Sequence, residues 1–424
     1  MVAHEVSPQS TPQSTPRITP DAATARGRPV PSSLRRLDEA RARFGGLATT
    51  YLDAMHLGDP LADAFADDVV RIGHGKALKM LRTACREGLD AVPHAPASLH
   101  ALIGSLDDEP EWLDLSAIER DSRFIGRYTR QSGIVLGAAS LVSGYANSAA
   151  SRPLELTGRY LESAGARTIE VASWLVAITR EGGLERHGEG FELTVRVRVI
   201  HALVRQSLRE DPRWDAAAWG VPINQAYLAY TLVEFVRIPL RSQRLIGAGY
   251  LPHEERAAYA RWRYIGHLLG IDPALLPQDE AAQERLEELY LLTRPVVDDY
   301  CRELVTAINA SFLTAEVAGI LPPPARRFAP TLVHALERLF LGDEIAEDLA
   351  IPATRVTWVV RVLAPALGAV NGILDRIPAT LPWRTRIGER YRVAQDARLR
   401  STYGVHHDLV DASPPGGRSH PARG

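Results

Sequence analysis

The chain has 424 residues, 46% of them hydrophobic, with 51 acidic against 49 basic side chains and a formal net charge of −2. That length holds one large domain or two or three small ones, with core enough to enclose a cofactor. The even charge balance excludes a general nucleic-acid binder, which needs surplus Lys and Arg to displace phosphate counterions; Cys85 and Cys301, far apart and outside any CxxC pair, exclude a disulfide framework and a zinc cluster.

Taken in chain order, residues 1–36 carry six prolines and a short STPQSTP repetition, which predicts a disordered tail. No apolar stretch of a secretory signal occurs there. The Arg35–Arg36 pair is followed by the charged run LDEARARFGG, which cannot serve as a signal core, so a cytoplasmic protein is expected. From 37 to 410 no linker, solenoid-length repeat or charge block intervenes, and one continuous helical domain is expected. Residues 131–151 are uncharged, but their Ser, Gly, Ala and Asn147 leave too few bulky apolar groups for insertion into a bilayer. A buried, closely packed helix is expected there, and no transmembrane segment. Residues 194–199, TVRVRV, alternate as a half-buried strand would, yet 191–210 run twenty residues without Gly or Pro and end in good helix formers. One helix is predicted. Apolar spacing of three and four predicts further helices over 252–270, 279–293 and 352–374. A second breaker-rich tail is expected over 411–424. The fold class is therefore all-α, a single large helical domain between two disordered tails.

Most of the thirteen histidines sit in breaker-rich or charged surroundings. His201 differs. At about 100° per residue, Val197, Ile200, Val204 and Leu208 fall on one side of its direction and Arg198, Arg205 and Arg209 on the other. An imidazole on such a seam suits a haem, whose iron accepts a ring nitrogen, whose macrocycle takes apolar walls and whose propionates take arginine. From spacing alone the commoner reading is a core-edge histidine bonded to a neighbour, with the arginines reaching water, and the haem reading stays open beside it. His267, in WRYIGHLLG between Gly266 and Gly270, reads as a packing residue beside a close helix approach. No HExxH, GxxxxGK[ST], GxSxG or strand-bound GxGxxG occurs. Gly182, Gly183, Gly188 and Gly190 read as a loop between two helices.

Five motifs in order, RPLELTGRY at 152–160, GGL at 182–184, RVRVIHALVR at 196–205, WGVPINQ at 219–225 and WRYIGHLLGI at 262–271, resemble the MpaB and rubber-oxygenase family, which includes latex-clearing protein. The resemblance implies a globin-like helical core around haem b, with the family's HxxxR pattern falling on His201 and Arg205 and His201 as the iron ligand. Arg198 and Arg205 become the candidates to contact the cofactor. The family's distal Arg-x-x-Lys-Thr pattern falls on Arg167, Glu170 and Val171. The arginine is kept, while a carboxylate replaces the lysine and an aliphatic group replaces the threonine, which argues against rubber cleavage. Taken alone, Arg167 and Glu170 are an ordinary i,i+3 pair; Trp174 and Ile178 continue that row toward either a pocket mouth or the surface. The function so implied is a haem-b oxygenase taking dioxygen and an apolar small molecule, with Arg167 and Glu170 as its distal polar groups. The alternatives are a haem sensor or carrier without turnover, and a cofactor-free helical scaffold.

Overall fold

Every regular element in the computed structural model, which describes residues 27–157 and 171–403, is a helix. The helices that frame the site are, in chain order, α1 (Pro60–Ile72), α2 (His74–Glu87), α3 (129–145), α4 (Glu189–Arg209), α5 (225–245), α6 (Pro252–Leu268), α7 (Glu280–Thr293), α8 (Asp299–Ile320), α9 (Ala329–Leu341), α10 (Val356–Asp375) and α11 (Thr380–Tyr403). Shorter helices fill the connections, and a continuous apolar core runs through the bundle.

Local chemistry sets the bounds. Asp59, Asn224 and Asp279 each accept a backbone N–H of the first turn that follows, at 3.2, 3.0 and 2.8 Å, satisfying a donor that the helix leaves open. The TVRVRV segment lies inside α4, as its helical flanks predict. The uncharged stretch expected as one buried helix is two, because the chain breaks at Ala146 and Asn147 caps a new helix, Ser148–Leu156, through Ala150 N–H at 3.1 Å. The first tail is also shorter than expected: Ser32, Ser33 and Arg35 donate backbone N–H groups to Ala217, Ala218 and Thr293. The far tail, 411–424, lies outside the described residues.

Among the described residues three helices are interrupted by π-helical segments, Leu136–Leu141 in α3, Val233–Arg237 in α5 and Asn309–Leu313 in α8. The segment in α3 packs against both of the others. Such segments are rare and gather at functional sites, because the extra residue redirects side chains that a regular helix would stack. Among the described residues two helices, α8 and α10, are long and apolar enough to cross a membrane by composition, whereas the sequence reading weighed only 131–151 for that role.

Candidate functional site

His201 stands just past the middle of α4, half-buried, on a stripe with Val197, Ile200 and Val204 that keeps partial accessibility. Arg198 and Arg205 do not form a solvated cationic stripe. Both are buried. Arg198 donates to both oxygens of Asp59 at 2.6 and 3.0 Å, and Arg205 donates to Asp63, to Pro222 O at 3.2 Å and to Ile223 O at 3.0 Å. Their donors therefore face α1 and the 219–225 turn, and the structure assigns them to holding α4 in place rather than to cofactor propionates. Asp63 is pulled two ways, its carboxyl pushed up by burial and pulled back by Arg205 and Arg209.

Two turns before His201 on α4, Thr194 accepts the indole N–H of Trp174 at 3.0 Å. Trp174 meets Phe235 and Trp262 edge-on, at 5.7 and 5.6 Å between centroids, and those two rings stack at 4.9 Å. This aromatic trio fills the space between the histidine helix, α5 and α6. Residues 171–179 form the helix that carries Trp174, and Trp174 and Ile178 are both buried, so the row that the sequence left undecided runs into the core. Arg167 and Glu170 lie outside the described residues.

On α5, Tyr227, Thr231 and Glu234 recur at i, i+4 and i+7 and share one face. Tyr227 and Glu234 are half-buried and surrounded by protein. Helix α3 reaches Glu234 at Gly144, where an added Cβ would stand 2.6 Å from Oε1. Burial alone pushes the Glu234 carboxyl up to about 8, so the group is mostly protonated at neutral pH. Tyr230, one residue from the Tyr227 face, exchanges a 2.9 Å hydrogen bond with Ser143 and stacks on Tyr290; burial and then Glu234 raise its hydroxyl.

Sequence reasoning missed Glu234, although a signal was present: it is the only carboxylate between Asp215 and Glu254, in an otherwise apolar run. His267 is half-buried and stacks on Tyr264 at 6.2 Å; burial, then the nearby Arg198, lowers its imidazole. The glycines beside it do not meet another helix backbone. Gly266 is approached by the Leu276 and Leu232 side chains, and Gly270, at φ 74°, leaves room for the Arg198–Asp59 pair.

Among the described residues no three His, Cys, Asp or Glu side chains converge as a metal-holding group. A lone imidazole serves iron when a macrocycle supplies the other ligands. His201 offers one imidazole beside the partly accessible Val197, Ile200 and Val204, a donor type that suits such a group, while Arg198 and Arg205 are already engaged.

The sequence pattern of the family described as "ER-bound oxygenase mpaB/B'/Rubber oxygenase, catalytic domain" matches residues 126–369, over half of the chain. The chain belongs to this family. An oxygenase-type function follows, and the matched region holds α4, α5 and all three π segments. Among family relatives, the rubber oxygenase of Streptomyces sp. (strain K30) is 24% identical over 309 residues, 71% of this chain and 72% of that protein. The closed-state structure of latex clearing protein LCP superposes with a TM-score of 0.61 at 19% identity, covering 80% of this chain and 91% of that one. That likeness shows a shared helical fold.

Proposed function

We propose that this oxygenase holds haem b through His201 and acts with dioxygen on an apolar small molecule. The observation that carries the reading is an imidazole on a partly accessible aliphatic stripe, in a family of oxygenases, with no multi-residue metal site among the described residues. Haem, when bound, supplies the chemistry of dioxygen. His201 would hold the iron. Arg198 and Arg205, locked to Asp59 and Asp63, fix the rotation of α4 and so the direction of the His201 ring. Trp174, Phe235 and Trp262 exclude water and supply apolar walls. Glu234 holds a proton at its carboxyl in a water-poor space, where it can donate a hydrogen bond that an ionised carboxylate cannot. Arg167 and Glu170 are the proposed distal polar groups. With a carboxylate and Val171 where latex-clearing members carry lysine and threonine, a small apolar substrate is favoured over rubber.

The test is a pyridine haemochrome assay on purified, haem-supplemented protein beside His201→Ala. Expected is one haem b per chain with a Soret band that the variant loses while keeping its helical circular dichroism. A colourless wild-type protein would overturn the reading. Substrate-dependent oxygen uptake by the ferrous protein separates an oxygenase from a carrier.

A further inference from the structure

Helix α10 is amphipathic in reverse. Its inner face begins with Thr357 and Val360, which packs on the core, and continues through Ala364, Gly368, Asn371 and Asp375, spaced four, three and four, all small or polar. Gly368 lies against Gly247 and Asn371 donates to Gly247 O at 2.7 Å. Asp375 accepts from Arg127 at 2.9 Å, from Tyr128 at 2.8 Å and from Arg384, inside the protein. The outer face carries Trp358, Val362, Leu363, Leu367, Val370 and Ile373, with Trp358 68% and Ile373 63% exposed. Across the turn into α11, Trp383 is 62% exposed. A helix that packs on its own domain usually buries its large apolar residues and leaves small and polar ones outside. Here the large residues are outside over about 24 Å of helix, at 1.5 Å per residue, which is a contiguous patch of the kind that marks a binding surface.

The charge around it names the partner. Between 352 and 388 the only carboxylate is Asp375, and it is buried. Arg355, Arg361, Arg376 and Arg386 are exposed and make no ion pair with a described residue. We infer that α10 and the turn into α11 form a docking face for an anionic lipid bilayer, lying in the interfacial plane. The aliphatic residues enter the acyl boundary, Trp358 and Trp383 sit at headgroup level, and the arginines meet lipid phosphates. Anchoring of the inner face by Thr357, Val360, Ala364, Gly368, Asn371 and Asp375 keeps the helix on the domain, so it lies on a membrane rather than crossing it. A second copy is the weaker occupant. Two-fold pairing of this face would bring four arginines from each copy to one rim with no carboxylate to receive them.

Co-sedimentation of the full chain with vesicles tests this, using phosphatidylcholine alone and a three-to-one mixture with phosphatidylglycerol. Binding to the mixed vesicles is expected, with about fivefold loss for each arginine removed in Arg355→Gln and Arg361→Gln, and at least tenfold loss in Leu363→Asp/Leu367→Asp. In the wild-type chain, brominated lipid should quench a fluorescence component that Trp358→Phe lacks, a readout needing no charged substitution. Absence of binding to mixed vesicles, binding indifferent to the aspartate pair, or no quenching at Trp358 would overturn the inference. So would a lipid-free dimer in sedimentation velocity that the aspartate pair splits, which would give the face to a second copy.

Discussion

Arg198 grips Asp59 through two hydrogen bonds of 2.6 and 3.0 Å, both side chains are buried, and the absent side chain of Gly270 makes room for them. The same carboxylate caps α1 through Ala62 N–H. Removing one partner of a buried pair leaves an uncompensated charge, so Asp59→Ala is expected to cost about 3–5 kcal/mol in urea unfolding. In an Arg198→Met background the same change should cost much less, because the stranded charge is gone. Equal losses in the two backgrounds would show that the cap, not the pair, carries the effect.

Glu234 gives the fold a pH dependence of definite sign. Its carboxyl is held protonated to about 8 in the folded chain, against an ordinary value of 4.5. Between those limits the folded state binds the extra proton, so stability falls as pH rises, by up to about 1.4 kcal/mol per pH unit. Glu337, buried and also pushed up to about 8, adds a slope of the same sign. The measurement is therefore a difference: urea stability of the wild type minus that of Glu234→Gln at pH 5, 6, 7 and 8. The difference should move steadily against the wild type across that range and flatten beyond pH 8. Parallel curves would mean that Glu234 is ionised in the folded protein.

Much of this could be read from the residues alone. Apolar periodicity places the helices over 252–270, 279–293 and 352–374 within a few residues, and the seam on α4 singles out His201 without a structure. The wheel could not show what faces Arg198 and Arg205, because Asp59 and Asp63 come from a helix far away in the chain. Composition also carries no mark of a shift from i+4 to i+5 bonding, so the three π segments and the enclosed face of α5 stayed hidden. For α10 the periodicity gave the helix and its bounds, but the rule that large apolar residues turn inward has the wrong sign there.

Thr194 connects the histidine helix to the aromatic trio. Its hydroxyl oxygen accepts from Trp174 Nε1 at 3.0 Å and its proton goes to Gly190 O at 2.6 Å. Thr194→Val keeps the shape and strands a buried indole N–H, which is expected to cost about 1–3 kcal/mol. Thr194→Ser should recover most of it. Near-ultraviolet circular dichroism reports the same event, read as the difference from the wild type, since Trp174 packs edge-on against Phe235 and Trp262. A valine variant as stable as the wild type would show that water replaces the threonine oxygen.

Gly182 and Gly183 adjoin in the turn between residues 171–179 and α4, and they are needed for different reasons. Gly182 has φ 69°, and the nearest atom to an added Cβ is the flexible end of Glu185 at 3.6 Å. Gly182→Ala therefore meets only backbone strain, about 1–2 kcal/mol. Gly183 has an ordinary φ, but its Cβ would run into the backbone carbonyl of Ala177 and stand 2.9 Å from that of Arg180. Neither carbonyl can move without shifting the helix that carries Trp174, and Gly183 O also receives Phe191 N–H at 2.9 Å at the start of α4. Gly183→Ala is expected to cost about 3 kcal/mol or more and to disturb the Trp174 signal, while Gly182→Ala leaves that signal intact. Equal losses at the two positions, with an unchanged aromatic spectrum, would show that dihedral strain rather than close backbone approach fixes this turn.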